Sequence, residues 1–132
     1  MVVRGCKVAG TTPPTPDTSA DGIRIAGVEA RVLNNDVLDT LATGNGTARS
    51  IVLDNASSSI VESNRIGNSS FTVGSTGIDI VAGQDVLVSS NSFSTLDNGL
   101  LFGSESFGKY RDNLTSGVNS PYSGGQDVGN NQ

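Results

Sequence analysis

VLVSSNSF, residues 86–93, returns in looser form as SIVESNRI at 59–66, ARVLNNDV at 30–37 and GKYRDNLT at 108–115. Each fits the frame small-x-apolar-x-x-Asn-x-(apolar or Thr). MVVRGCKV at 1–8 fits it too, with Cys6 where the other copies carry Asn35, Asn64, Asn91 and Asn113. A second motif, small-φ-x-φ with φ an apolar residue, runs in phase with it as GIRI at 22–25, SIVL at 50–53, GIDI at 77–80 and GLLF at 99–102. From the small residue to the next Asn (22 to 35, 50 to 64, 77 to 91, 99 to 113) the spans are 13, 14, 14 and 14 residues. From Cys6 or the Asn to the next small residue they run 16, 15, 13 and 8.

A near-constant segment with two short strands, alternating with a Gly, Ser, Thr and Pro segment of variable length, describes stacked coils with variable loops. Side chains alternate across a strand. Ile23, Ile25, Ile51, Leu53, Ile78, Ile80, Leu100 and Phe102 therefore share one inward face, and Val3, Val32, Val61, Val88 and Tyr110 another. The expected fold is all-β, a single-stranded right-handed parallel β-helix of about four coils plus a partial N-terminal coil. Residues 1–115 carry the coils, and 116–132 form a polar tail that either caps the last coil or lies free. Loops are expected at 9–21, 38–49, 67–76 and 94–98.

The recurring Asn needs a structural reason, because four copies share both flanks. At a bend between strands a residue must tolerate left-handed backbone angles and satisfy backbone groups that no ladder reaches, which Asn does with its short amide. Coils stack about 4.8 Å apart, so Asn35, Asn64, Asn91 and Asn113 should hydrogen-bond in one column. Cys6 should end that column as a small buried thiol.

Composition agrees and sets limits. There is no Trp, and 17 Gly punctuate a Val, Ile and Leu chain, which favours strands and turns over helices. The net charge of −5 is spread singly along the chain, with no basic stripe to follow a phosphate backbone, so no nucleic-acid partner is expected. No apolar run approaches the ~20 residues of a membrane helix, and the N-terminus lacks a signal-peptide apolar region. One Cys makes no internal disulfide, and with no His the commonest general base and metal ligand is missing. The sequons NGT at 45–47 and NLT at 113–115 are expected by chance in so Asn- and Thr-rich a chain.

With coils of the form G-I-x-I…V-x-x-N-x-F over most of its length, the chain resembles the right-handed parallel β-helix repeat proteins of the pectate-lyase-like superfamily. Its ending, GKYRDNLTSGVNSPYSGGQDVGNN, resembles the C-terminal ends of bacterial secreted members. The resemblance implies an extracellular location and a polysaccharide ligand. It also implies an outer sheet face as the working surface, here the outward column Arg24, Val52, Asp79 and Leu101. On a lyase reading Arg24 is the base, and Asp79 and Asp54 hold Ca2+. A polygalacturonase-like site would need paired Asp and a Gly-His-Gly stretch, and neither occurs.

The outward columns carry a structural alternative. Lys7, Asp36, Arg65, Ser92 and Leu114 alternate in charge and should pair across the coil step, setting register. Val2, Arg31, Ile60, Leu87 and Lys109 form a further column. The apolar positions Val2, Val52, Ile60, Leu87 and Leu101 together predict a contact patch for a second subunit. The favoured function is a non-catalytic scaffold or binding module that self-associates and meets a carbohydrate, with no resident cofactor. The alternatives are a Ca2+-dependent polysaccharide lyase and an inactive fragment of a longer β-helix protein.

Overall fold

A computed structural model describes all of residues 1–132. It contains no helix, hence none long and apolar enough to cross a membrane. Twelve strands wind a parallel β-helix: β1 (Val2–Arg4), β2 (Lys7–Ala9), β3 (Ala20–Ala26), β4 (Arg31–Leu33), β5 (Asp36–Leu38), β6 (Ala48–Asp54), β7 (Ile60–Glu62), β8 (Arg65–Gly67), β9 (Ser75–Ser89), β10 (Ser92–Arg111), β11 (Leu114–Ser123) and β12 (Gln126–Asp127). The first wall stacks β3 on β6, β6 on the start of β9, and that on the middle of β10. The second stacks β1, β4, β7 and the end of β9, then the end of β10 and β12. The third stacks β2, β5, β8 and the starts of β10 and β11. Every pairing is parallel.

In-register stacking places equivalent residues of successive coils above one another, as Ile23, Ile51, Ile78 and Leu100 show. All the predicted inward Ile, Leu and Phe residues are buried, as are Val32, Val61 and Val88, while Val3 and Tyr110 are half-buried against the same core. The small residue that opens each first-wall strand has a steric cause. A Cβ at Gly77 would lie 2.6 Å from both the Gly99 carbonyl oxygen and a Phe93 ring carbon, and one at Gly22 would lie 2.8 Å from Val37 Cγ1. The predicted loop at 94–98 stays in the wall as part of β10, and Leu96 within it is fully buried. Eight residues suffice only to close the coil, with no chain left to leave it.

The Asn column forms. Asn35, Asn64, Asn91 and Asn113 are all at least 98 % buried. The backbone N–H and Nδ2 of each donate to Oδ1 of the next: Asn35 to Asn64 at 2.9 and 2.9 Å, Asn64 to Asn91 at 3.0 and 2.9 Å, and Asn91 to Asn113 at 3.0 and 3.1 Å. The remaining Nδ2 hydrogens go to wall carbonyls such as Val32 and Val61. Two details differ from expectation. The left-handed residue is the one before the ladder position (Gly5, Asn34, Ser63, Ser90, Asp112, Asn130), with φ between 54° and 65°. The turn is made by that residue, which frees the following Asn to direct its amide inward. Cys6 is exposed, because only one neighbouring coil covers it. Its backbone N–H donates to Asn35 Oδ1 at 2.9 Å while its thiol turns back to the Arg4 carbonyl.

The expected division at 115/116 falls inside β11, and residues 116–132 wind on as a further coil. Asn113 donates to Asn131 Oδ1 from its backbone N–H at 3.1 Å and from Nδ2 at 3.0 Å. Val118 and Tyr122 pack against the core. The Tyr122 ring stacks on Tyr110 at 5.1 Å between centroids, and its hydroxyl donates to the Asn113 carbonyl at 3.1 Å.

Candidate functional site

The outward column of the first wall is continuous: Arg24 pairs with Val52, Val52 with Asp79 and Asp79 with Leu101. Asp21 and Arg49 stand beside it on β3 and β6 and are themselves paired. Here the candidate chemical groups meet, but they meet each other. Arg24 donates to Asp21 at 3.1 Å and to Asp54 at 2.7 Å. Arg49 reaches Asp21 at 2.8 Å and Asp79 at 3.6 Å. The result is one chain of ion pairs, Asp54–Arg24–Asp21–Arg49–Asp79, laid around Val52.

Its electrostatics oppose the lyase roles. The hydrogen bond from Arg24 to Asp21, reinforced by Asp54, holds the guanidinium above its ordinary pKa, whereas a general base must release its proton. Asp54 is occupied by Arg24. Burial pushes the Asp79 carboxyl up, and the pull of Arg49 does not fully offset it. No three carboxylates or thiols converge in a group that could hold an ion.

The predicted contact patch is also altered. Val52 is fully buried within the ion-pair chain, Ile60, Leu87 and Leu101 are half-buried, and only Val2 stands exposed. Spacing of about 4.8 Å between coils lets a long side chain on one coil cover a short one on the next, which alternation along a single strand does not reveal. On the third wall the register follows expectation, Lys7 on Asp36, Asp36 on Arg65, Arg65 on Ser92 and Ser92 on Leu114. Arg65 holds Asp36 with two bonds of 3.0 and 2.9 Å, and that contact draws the Asp36 carboxyl below its usual range.

One recess marks the surface, and sequence reasoning missed it. The outward positions at the end of the third-wall strands are Ala9, Leu38, Gly67 and Ser94, paired in that order. The Ser94 hydroxyl leans into the space over Gly67, and beside it a notch of about 190 Å³ is lined by Leu38, Asp39, Gly67, Asn68, Ser69 and Ser94. Nothing in the repeat marks it, because the recess is formed by unlike residues of three successive coils. Asp39 Oδ1 accepts the Ser69 backbone N–H at 2.6 Å, and this bond draws its carboxyl below the usual range. Asn68 is 7 % exposed, and neither of its amide atoms has a hydrogen-bond partner.

Among protein families, the one described as "right handed beta helix region" matches residues 1–132. No curated protein and no solved structure gives a match.

Proposed function

Since the chain belongs to the right-handed β-helix family, we propose that it is a non-catalytic β-helix scaffold that presents its loops and corners to a partner. The carrying observation is the ion-pair chain Asp54–Arg24–Asp21–Arg49–Asp79. The groups that would act as base and Ca2+ ligands spend their charge on one another, which supports a binding role over a lyase one. Polysaccharide is the partner class, and a secreted location belongs to the same proposal; both rest on the resemblance to pectate-lyase-like proteins. Self-association is the second part. It rests on the apolar outward positions, of which Val2 is 62 % exposed and Ile60, Leu87 and Leu101 are half-buried, where a second copy would cover them.

A panel of acidic polysaccharides with and without Ca2+, read for binding and for the ultraviolet absorbance of unsaturated products, tests the first part. Binding without turnover is expected. Absorbance that rises, requires Ca2+ and vanishes in Arg24→Ala overturns it. Light scattering tests the second part, and a clean monomer at high concentration overturns it.

A further inference from the structure

Two outward columns stand side by side over four successive coils. The wall column is Arg31, Ile60, Leu87 and Lys109, each the strand partner of the next. Two residues earlier in each coil, at the bend from the first wall into the second, stand Glu29, Ser58, Asp85 and Phe107. Glu29, Ser58 and Asp85 share a left-handed backbone, with φ of 55°, 55° and 58°. The Glu29 and Ser58 N–H groups donate to the Ser57 and Gln84 carbonyls of the next coil at 2.9 and 2.8 Å. Phe107 joins the column because Gly108 after it pairs with Val86 after Asp85. All four bend residues are exposed, Phe107 to 53 %.

The charges on these columns are unpaired. Arg24, Arg49 and Arg65 are all held by carboxylates, whereas Glu29, Arg31, Asp85 and Lys109 make no ion pair within the chain. Between the two cations of the wall column lie Ile60 and Leu87, both half-buried. A surface with carboxylates in one column and cations in the next is self-complementary about a twofold axis. With that axis parallel to the coil stack, each bend column faces the wall column of the other copy, coil for coil. Glu29 of one copy then meets Arg31 of the other, Ser58 meets Ile60, and Phe107 meets Lys109, a cation over an aromatic face. Asp85 meets Leu87, with Lys109 one coil step of about 4.8 Å away. With the stacks antiparallel, like columns face each other and Arg31 meets Lys109, which like charge opposes.

We infer that this bend and the second wall form a self-complementary face on which a second copy of the chain docks, with the two coil stacks parallel and the twofold axis along them. This deepens the self-association part of the proposed function and rests on it. Ile60 and Leu87 supply the apolar middle, and the charges at either end select the orientation. Two columns over four coils make a contact smaller than the ~1,200 Å² of a standard interface, so the dimer is weak and reversible.

The test is sedimentation equilibrium of the full chain over a range of protein concentration, with two charge variants. Glu29→Lys lowers the net negative charge, so general repulsion alone would let it associate more tightly than wild type. The twofold face predicts the reverse, because two like-charge contacts with Arg31 then form in each dimer, and association should weaken about tenfold or more. Glu29→Lys combined with Arg31→Glu exchanges the pair and should restore wild-type association. Raised salt should loosen the dimer. Orientation is read by oxidative cross-linking in a Cys6→Ser background. Chains carrying Ser58→Cys should link to chains carrying Ile60→Cys, whereas Ile60→Cys chains should not link to Leu87→Cys chains. The inference is overturned if Glu29→Lys associates as tightly as wild type, if the double variant stays weak, if salt tightens the dimer, or if the cross-links form in the opposite pattern. A wild type that associates while both charge variants match it sinks this face and leaves self-association standing. A wild type that stays monomeric at high concentration removes both.

Discussion

Asn64 passes both its backbone N–H and its Nδ2 to a single atom, Oδ1 of Asn91 one coil on, at 3.0 and 2.9 Å. Removing either amide therefore strands two buried donors on the preceding coil as well as the carbonyls it served. With about 1–3 kcal/mol for each buried group left unpaired, Asn64→Ala and Asn91→Ala should each cost about 2–5 kcal/mol in denaturant unfolding. Reasoning from the repeat makes Asn113 the end of the column and the cheapest to replace. The bonds to Asn131 make it an inner member, and Asn113→Ala should rank with the other two. Asn131→Ala should cost less, because water reaches that end.

Two glycines separate steric from torsional need. Gly77→Ala drives a Cβ against the Gly99 carbonyl and the Phe93 ring, neither of which can retreat within the stacked coils. Overpacking of this kind costs about 1–3 kcal/mol or more. Gly5→Ala meets no atom within 4 Å and strains only the backbone, at φ 65°, for about 1–2 kcal/mol. Chemical denaturation of the two variants should preserve that order, and equal midpoints would refute the steric explanation.

The contact between Asp36 and Arg65 predicts an acid-side effect. Arg65 holds the folded Asp36 below its ordinary pKa. Its stabilisation is complete above the ordinary carboxylate value and disappears as pH falls through the lowered one. Both side chains are well exposed, so the effect should be small and weaken with salt. A carbon-detected titration of the Asp36 carboxyl should move upward in Arg65→Met, and an unchanged midpoint would show the pair to be idle.

Asp79 has the opposite sign. Burial raises its folded pKa, so the native state retains a proton that the unfolded chain releases. Stability from this group is present below the ordinary carboxylate value of about 3.9 and is lost as pH rises through the raised value. Asp79→Asn should therefore be at least as stable as wild type at neutral pH, with the two curves converging in acid. A variant destabilised at neutral pH would mean that Arg49 outweighs burial.

Much of this could be read from one dimension, because a parallel β-helix repeats its local pattern in register. The alternation around Ile23, Ile51, Ile78 and Leu100, the Asn column and the charge column through Asp36 and Arg65 all follow from spacing alone. Once coils stack in parallel, equal positions must meet. The repeat NNQ at 130–132 echoes NND at 34–36, yet Asn131 escaped the frame. It lies four positions after Asp127, where Asn113 lies three after Tyr110, the strand partner of Asp127.

What the sequence by itself determined was thus the coil, its inward faces and its ladder, each set by period and by hydrogen bonds between identical positions. Tertiary structure alone decided the rest, because those features depend on how unlike side chains from adjacent coils share space. Val52 disappears beneath ion pairs that join three coils, Asp79 is desolvated there, and Cys6 is left exposed with a single neighbouring coil. The side chain that Gly67 lacks matters only once Ser94 is placed beside it, where the Ser94 hydroxyl takes the space a Cβ would need.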